Sequence, residues 1–176
     1  TGTLKIGEAI SGFANSAIWL IVGAFLFSRG FIKTGLGKRI AYNLIAAFGS
    51  SSLRLAYALA LSDLILAPAT PSNTARVGGV IMPITTSLAK AFGSEPQDGP
   101  RKIGSFLMQS IYQVNTITSA MFQTSMAGNT LVAALALQSF GIGITWGDWA
   151  MAAIVPGIIA LIIMPYFIYK VYPPEI

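Results

Sequence analysis

Four long apolar segments occupy most of this 176-residue chain, and they constrain its fold more than any other feature. They run from Phe13 to Ser28, Leu53 to Phe92, Ile103 to Phe140 and Asp148 to Tyr169. About 20 predominantly apolar residues are enough to cross a bilayer as a helix. Only 10% of the residues are charged, against about 25% in soluble domains. The pattern predicts an all-α integral membrane protein surrounded by lipid.

The chain contains no cysteine and no histidine, which narrows the chemistry open to it. Disulfides, Cys/His zinc sites and catalytic triads that need these residues are excluded. The six acidic residues are scattered along the chain, and they form no obvious pair for acid–base catalysis. The net charge of +5 comes from basic residues between apolar segments, which is typical of membrane orientation. We therefore expect no enzyme, no nucleic-acid partner and no resident cofactor.

The stretch from Gly30 to Phe48 combines basic residues with apolar residues at helical spacing. Lys33, Lys38 and Arg39 would lie at the lipid headgroups if this helix rested on the membrane. Residues 1–48 are accordingly assigned to a scaffold span and an amphipathic helix on the cytoplasmic surface. An ordinary cytoplasmic linker helix is the alternative.

Basic residues flank the second apolar segment on both sides, and their distribution indicates its topology. The positive-inside rule places both groups in the cytoplasm, so the segment enters and leaves on one face. Two full spans would satisfy the same rule. Pro68 and Pro71, however, remove backbone donors near its centre and shorten both arms. Residues 49–92 are therefore predicted to form a re-entrant helical hairpin with its tip inside the bilayer.

The remaining chain is divided by the same reasoning. Residues 93–102 are assigned to a cytoplasmic loop and residues 103–140 to a discontinuous transmembrane helix. Residues 141–176 are assigned to a transmembrane helix that returns Lys170 to the cytoplasm. Aromatic residues flank this last helix, where membrane interfaces favour them.

The predicted hairpin tip, ILAPATPSNTARVGG (Ile65 to Gly79), is unusually polar for a membrane segment. Irregular backbone at membrane depth persists only where protein or water covers it. Ser72, Asn73 and Thr74 lie at the start of a helix, where free amides and the helix dipole attract an anion. Their oxygens could also bind Na⁺. A simple helix cap is the alternative.

Arg76 strengthens the prediction of an anion site at the tip. A buried arginine in a hydrophobic hairpin is costly unless it is paired or faces a cavity. Its planar guanidinium suits a carboxylate or a phosphate. A structural pair with Asp63 is the alternative.

The third apolar segment is interrupted near its centre by QTSMAGN. Discontinuous helices that meet at the midplane are a common way for transporters to build a binding site. Thr124, Ser125 and Asn129 offer hydroxyl and amide groups, and the unwound carbonyls could bind a cation. A polar helix contact or a glycine kink is the alternative. If Na⁺ is bound, Ser72, Asn73 and Ser125 are the expected ligands.

Several motifs together resemble those of the divalent anion:sodium symporter family, especially its citrate/succinate and 2-oxoglutarate/malate antiporters. The resemblance extends over nearly the whole chain, and the hairpin motif with KTGLGKRIA is its most specific part. The matching stretches are SGFANSAIWLI, KTGLGKRIAY, LILAPATPSNTARVGG, TSAMFQTSMAGN, WGDW and YPP.

The resemblance implies a homodimeric secondary transporter with two inverted repeats and an elevator mechanism. It implies that Ser72, Asn73 and Thr74 contact a substrate carboxylate, and that the region from Thr124 to Asn129 completes the site. The second repeat is absent from this sequence, so we expect one half of such a transporter. The surface helix would then link scaffold and hairpin.

The expected activity is exchange of di- or tricarboxylates such as succinate, malate, 2-oxoglutarate or citrate. Arg76 stands where a sodium-coupled relative would more plausibly carry a small neutral residue, so its charge is expected to replace part of the role of Na⁺. The alternatives are a sodium-coupled symporter, a sulfate or arsenite carrier, and a non-transport membrane assembly subunit. A bacterial inner membrane is expected rather than a plastid envelope.

Overall fold

The chain is almost entirely helical. A computed structural model describes residues 3, 5–14 and 16–175, and within these residues it contains nine α-helices and no β-strand. Short 3₁₀ turns lie at Ser11–Ala14, Ala67–Ala69 and Gln123–Ser125, and a π-helical turn lies at Val77–Ile81. The all-α prediction is confirmed. The helices are α1 (Ile6–Ala9), α2 (Ser16–Thr34), α3 (Leu36–Phe48), α4 (Ser52–Leu66), α5 (Asn73–Arg76), α6 (Met82–Ala91), α7 (Gly104–Met121), α8 (Ala127–Phe140) and α9 (Trp146–Val171).

Two stretches of the described residues are long and apolar enough to cross a membrane, Ser52–Ala69 and Trp146–Val171. The second coincides with α9, whose first turn is closed by a reciprocal cap. The Thr145 hydroxyl accepts a bond from the Asp148 amide at 3.1 Å, and the Asp148 carboxylate accepts one from the Thr145 amide at 3.0 Å. The cap accounts for the beginning of α9 at Trp146.

Helix α7 lies at the centre of the fold and packs against α4, α6 and α9. Its Phe106 and Leu107 are fully buried, and they belong to the same apolar core as Leu59, Ile81 and Ile84. Close van der Waals packing of these side chains stabilises the association of the helices around α7. The polar breaks described below are therefore positioned by a rigid helical core.

The stretch predicted as one surface helix is divided at Gly35. Helix α2 continues through Thr34, and Gly35 then adopts a φ of 70°, a left-handed conformation that glycine tolerates without strain. The following helix, α3, is amphipathic as expected, but its buried face packs against protein. A side-chain carbon added to Gly37 would lie 3.2 Å from a methyl group of Val80, so α3 closely approaches the π-helical turn.

A second close approach joins α7 and α9 at Gly157. A Cβ atom there would lie 2.6–2.8 Å from three side-chain atoms of Met121, which is itself buried. Gly157→Ala should therefore destabilise the protein by about 1–3 kcal/mol through overpacking, despite the better helix propensity of alanine. Thermal unfolding of the full-length protein in detergent would measure the effect. Gly147→Ala, near the start of α9, is the control; equal stabilisation by both changes would show that Met121 moves aside freely.

Candidate functional site

The chain has two helix breaks that lie against each other. The first break, residues 67–72, separates α4 from α5, and the second break, residues 122–126, separates α7 from α8. The hydroxyl of Thr124 donates to the carbonyl of Pro68 at 2.7 Å and accepts from the indole N–H of Trp146 at 3.0 Å. The third apolar segment is broken as expected, but the break ends at Met126 and Asn129 is already helical in α8; the break packs directly against the proline-containing stretch.

The first break follows from its two prolines. Thr70 is extended (φ −129°, ψ 96°), the conformation favoured before a proline, and it precedes Pro71. Ser72 then caps α5, because its hydroxyl oxygen accepts from the amide of Ala75 at 3.2 Å. The side-chain oxygen of Asn73 accepts from the amide of Thr74 at 2.9 Å. The capping alternative is therefore observed, although each side chain retains a further donor.

The second break is held by its own polar side chains. Phe122 and Met126 are both extended, which ends α7 and begins α8. The buried hydroxyl of Ser125 lies 2.6 Å from the carbonyl of Ser119 and 2.7 Å from that of Phe122. The buried amide of Asn129 donates to the same two carbonyls at 2.7 and 3.0 Å. Both side chains thus satisfy carbonyls that the end of α7 leaves unpaired.

Arg76 lies between the two breaks and is fully buried. A guanidinium carries five N–H donors, and protein acceptors engage all five. Nε donates to Asp63 at 2.8 Å, and Nη1 donates to the carbonyls of Thr70 and Ser125 at 3.1 and 3.2 Å. Nη2 donates to the hydroxyls of Thr118 and Ser119 at 3.2 and 3.1 Å. Arg76 therefore connects the first break, the second break and α7.

Asp63 provides the counter-charge for Arg76. Its side chain is 2% exposed, and it accepts from Arg76, from the Thr118 hydroxyl and, at 3.4 Å, from the Asn115 amide. We call these residues, with Ser119, the buried ionic cluster. Within the described part of the chain, no buried side-chain nitrogen or oxygen lacks a hydrogen-bond partner.

This geometry corrects the expectation for Arg76. Its guanidinium has no donor left for an anion, and a carboxylate already neutralises it. The structural pair with Asp63, which the sequence left open, is the arrangement observed. Sequence reasoning did not identify Asn115, Thr118 and Ser119, although their spacing of three and four residues places them on one face of an apolar helix.

The residues predicted to bind substrate fall into two groups. The polar side chains of Thr124, Ser125 and Asn129 are engaged by protein groups: Thr124 bonds to the first break, and Ser125 and Asn129 bond to the end of α7. Ser72 and Asn73 are partly exposed and Thr74 is exposed. Among the described residues, no protein acceptor engages the Asn73 NH₂ group or the Ser72 hydroxyl hydrogen. Of these predicted residues, Ser72 and Asn73 therefore keep donors free to meet a ligand, while the Thr74 hydroxyl donates to the side-chain oxygen of Asn73 at 3.5 Å.

The acidic residues form no metal site in the part of the chain that the structure describes, since no three of them come together. Two of the three expected Na⁺ ligands, Ser72 and Asn73, lie at the first break. The third, Ser125, is buried within the second break. Arg76 already donates to the Ser125 carbonyl.

The contact between the breaks has a measurable consequence. Thr124→Val would remove the bonds to Pro68 and Trp146 and should destabilise the protein by about 1–2 kcal/mol. Thr116→Val is the matched control, since the exposed Thr116 hydroxyl bonds only within its own helix. Chemical unfolding in detergent would compare the two. Equal stability of both variants would mean that the two breaks do not depend on this contact.

Similarity to known proteins extends over the whole sequence. The family model described as the sodium:sulfate symporter transmembrane region matches residues 1–176. A Bacillus subtilis (strain 168) protein named "Putative malate transporter YflS" is 59% identical over 177 residues, which cover all of this chain and 37% of that protein.

Two further relatives have names that specify carboxylates. Dicarboxylate transporter 1, chloroplastic, of Spinacia oleracea is 51% identical over the whole chain and 31% of its own length. The L-tartrate/succinate antiporter of Escherichia coli (strain UTI89 / UPEC) is 44% identical over 97% of this chain and 35% of its own length. The chain thus spans about a third of the length of these relatives.

Proposed function

Because this chain belongs to the divalent anion:sodium symporter family, we propose that it forms part of a secondary transporter that exchanges dicarboxylates across a membrane. The family is one of integral membrane transporters, and the names of the relatives include malate, dicarboxylate and tartrate/succinate transporters. The expected substrates are di- or tricarboxylates such as succinate, malate, 2-oxoglutarate or citrate. The observation that carries the proposal is the set of free donors at the first break.

Ser72, Asn73 and Thr74 suit one carboxylate of such a substrate. They offer uncharged hydroxyl and amide donors, and hydrogen bonds from such donors strengthen when the acceptor is ionised. The triplet is at least partly exposed, and the first break that precedes it packs against the second break. A site built from uncharged donors holds an anion without trapping it, which suits a carrier that must release its substrate.

The proposed architecture extends beyond this chain. Helix α4 and the continuous stretch from α5 to α6 would be the arms of a re-entrant hairpin, with the proline-containing first break as its tip. A second, inverted half would supply donors for the other carboxylate. The two breaks would move together in an elevator mechanism, within a homodimer in a bacterial cell membrane.

Arg76 supports exchange over sodium symport. Its Nη1 binds the carbonyls of Thr70 and Ser125, one from each break. Carbonyls exposed by unwound helices are the groups that bind Na⁺ in discontinuous-helix transporters. A permanent guanidinium at these carbonyls would take the place of a cation, without touching the substrate. We therefore propose exchange that does not require sodium.

The test is uptake of labelled succinate by the full-length protein in liposomes without sodium. We expect uptake only when the liposomes contain unlabelled dicarboxylate. Uptake that requires added sodium would support the sodium-coupled alternative. Uptake of labelled sulfate without uptake of labelled succinate would indicate another anion carrier. Absence of any uptake by correctly folded protein would favour an assembly subunit.

A further inference from the structure

Helix α4 has one exposed face, which combines a cation with apolar side chains. Of its residues, Arg54, Leu61 and Ile65 are exposed, and their spacing of seven and four residues places them on one side of the helix. The face extends for about 16 Å, from Arg54 in the first turn to Ile65 near the end of α4. Leu61 and Ile65 are 39% and 46% exposed. The face therefore has a charged end followed by an apolar stripe.

This face forms one wall of a groove between α3 and α4 with a volume of about 270 Å³. Ala47 and Phe48 of α3 form the opposite wall. From α4 the groove is lined by Arg54, Tyr57, Ala58 and Leu61. The Tyr57 hydroxyl already donates to the carbonyl of Ile162 on α9 at 2.5 Å, so the guanidinium of Arg54 is the polar group that remains for a ligand. We call this space the arginine groove.

Protein groups do not neutralise the charge of Arg54 within the described part of the chain. Its guanidinium donates there to one partner, the hydroxyl of Ser50, at 2.9 Å. Neither ion pair found among the described residues includes Arg54. A guanidinium is a planar fork with five donors, which suits a phosphate. The residues that line the groove include no acid that would hold the ammonium group of a zwitterionic lipid.

The length and direction of the exposed face match those of one phospholipid chain. The hydrocarbon core of a bilayer is about 30 Å thick, so one leaflet is about 15 Å, close to the length of this face. Arg54 lies at the beginning of α4, where a helix entering the bilayer passes the headgroups, and the apolar side chains follow at greater depth. A phospholipid carries its phosphate and its hydrocarbon in this order. A partner helix would need an acidic residue at the level of Arg54 to match both groups.

We infer that the arginine groove binds one anionic phospholipid, with its phosphate on Arg54 and an acyl chain along Leu61 and Ile65. The inference rests on the membrane insertion of α4, which is part of the proposed function, but not on the transported substrate. The bound lipid would fill the space between α3 and α4, so lipid would hold these two helices together in addition to their direct packing.

The test is lipid retention by the purified, delipidated full-length protein in detergent, measured by native mass spectrometry. Phosphatidylglycerol and phosphatidylcholine with identical acyl chains are added separately, and we expect phosphatidylglycerol to be retained preferentially. Arg54→Gln should weaken the retention of phosphatidylglycerol about tenfold or more, since it removes a charged donor from the lipid phosphate. Lys90→Gln is the control, because it removes an exposed cation at the end of α6, outside the groove.

A second pair of variants tests the position of the acyl chain. Ala47→Trp places a large side chain in the groove from an exposed position, so it should weaken lipid retention without disturbing the core. Ala46→Trp is the matched control, since Ala46 is also exposed but does not line the groove. Normal retention by Ala47→Trp would contradict the proposed position.

Three further outcomes would overturn the inference. Equal loss of phosphatidylglycerol from Arg54→Gln and Lys90→Gln would indicate a diffuse field of positive charge. Displacement of the lipid by excess inorganic phosphate would indicate a site for a soluble anion. Lower thermal stability of lipid-free Arg54→Gln would show that Arg54 pairs with an acid in the rest of the polypeptide. The readout does not use transport, so it stands even if the substrate proposal fails.

Discussion

Asp63→Asn will destabilise the full-length protein by about 3–5 kcal/mol, because it leaves the guanidinium of Arg76 buried without a counter-charge. Arg76 is fully buried and its nearest carboxylate oxygen is 2.8 Å away. Neutral asparagine can accept a hydrogen bond but cannot offset the cost of burying the charge. Thermal unfolding in detergent, with the folded yield from membranes, is the measurement. Asp98→Asn in the loop before α7 is the matched control, since Asp98 is exposed.

The double variant D63N/R76Q separates charge from packing. Removing both charges should restore part of the stability lost in Asp63→Asn, because no uncompensated ion remains in the interior. Recovery will be incomplete, since the glutamine cannot reach all the acceptors that Arg76 binds. Should Asp63→Asn unfold at the same temperature as Asp98→Asn, the buried ionic cluster would not depend on its ion pair.

Asn73→Asp will reduce dicarboxylate exchange by about 100-fold or more while leaving the protein folded. The substitution keeps the side-chain oxygen that accepts from the Thr74 amide. It replaces the free NH₂ donor with a carboxylate oxygen. The lost hydrogen bond to the charged substrate costs about 1.5–3 kcal/mol. Repulsion between the new carboxylate and the substrate carboxylate adds to this cost. Exchange rates in liposomes, with thermal stability measured in parallel, would show the effect.

The control for Asn73→Asp is Asn43→Asp, which makes the same chemical change at an exposed position of α3. Asn43→Asp should leave exchange unchanged. Normal exchange by Asn73→Asp would mean that the first break does not contact the substrate anion. Ser72→Ala should have a smaller effect, because it removes one donor without adding a charge.

The local interruptions of the fold could be predicted from the sequence because they depend on nearby residues. Pro68 and Pro71 interrupt the helix of the second apolar segment whatever that segment packs against. Polar residues and Gly128 similarly indicated the second break. It was expected to reach Asn129, but it begins at Phe122 and ends at Met126, and Gly128 lies inside α8. The division at Gly35 was not predicted, since the basic and apolar spacing continues through it. Periodicity alone does not show whether a glycine adopts a left-handed conformation.

The surroundings of Arg76 could not be predicted in the same way. Its acceptors on α7 and in the second break are 42–49 residues away in the sequence, and α7 brings them together only after packing. The sequence established that a buried arginine needs a partner, but an anionic ligand and Asp63 satisfied that requirement equally well. The polar residues on one face of α7 were the sequence feature that favoured the pair with Asp63.

The pairing of Arg76 with Asp63 also has an electrical consequence. Moving one unpaired charge through a membrane potential of 100 mV changes the energy by about 2.3 kcal/mol. In the proposed elevator step, the positive and negative charges of the pair move together, so this pair contributes no net charge displacement. The membrane voltage would then exert no force on this part of the carrier, whether it returns loaded or empty. Any voltage dependence of exchange would have to come from the substrates themselves or from charges elsewhere in the protein.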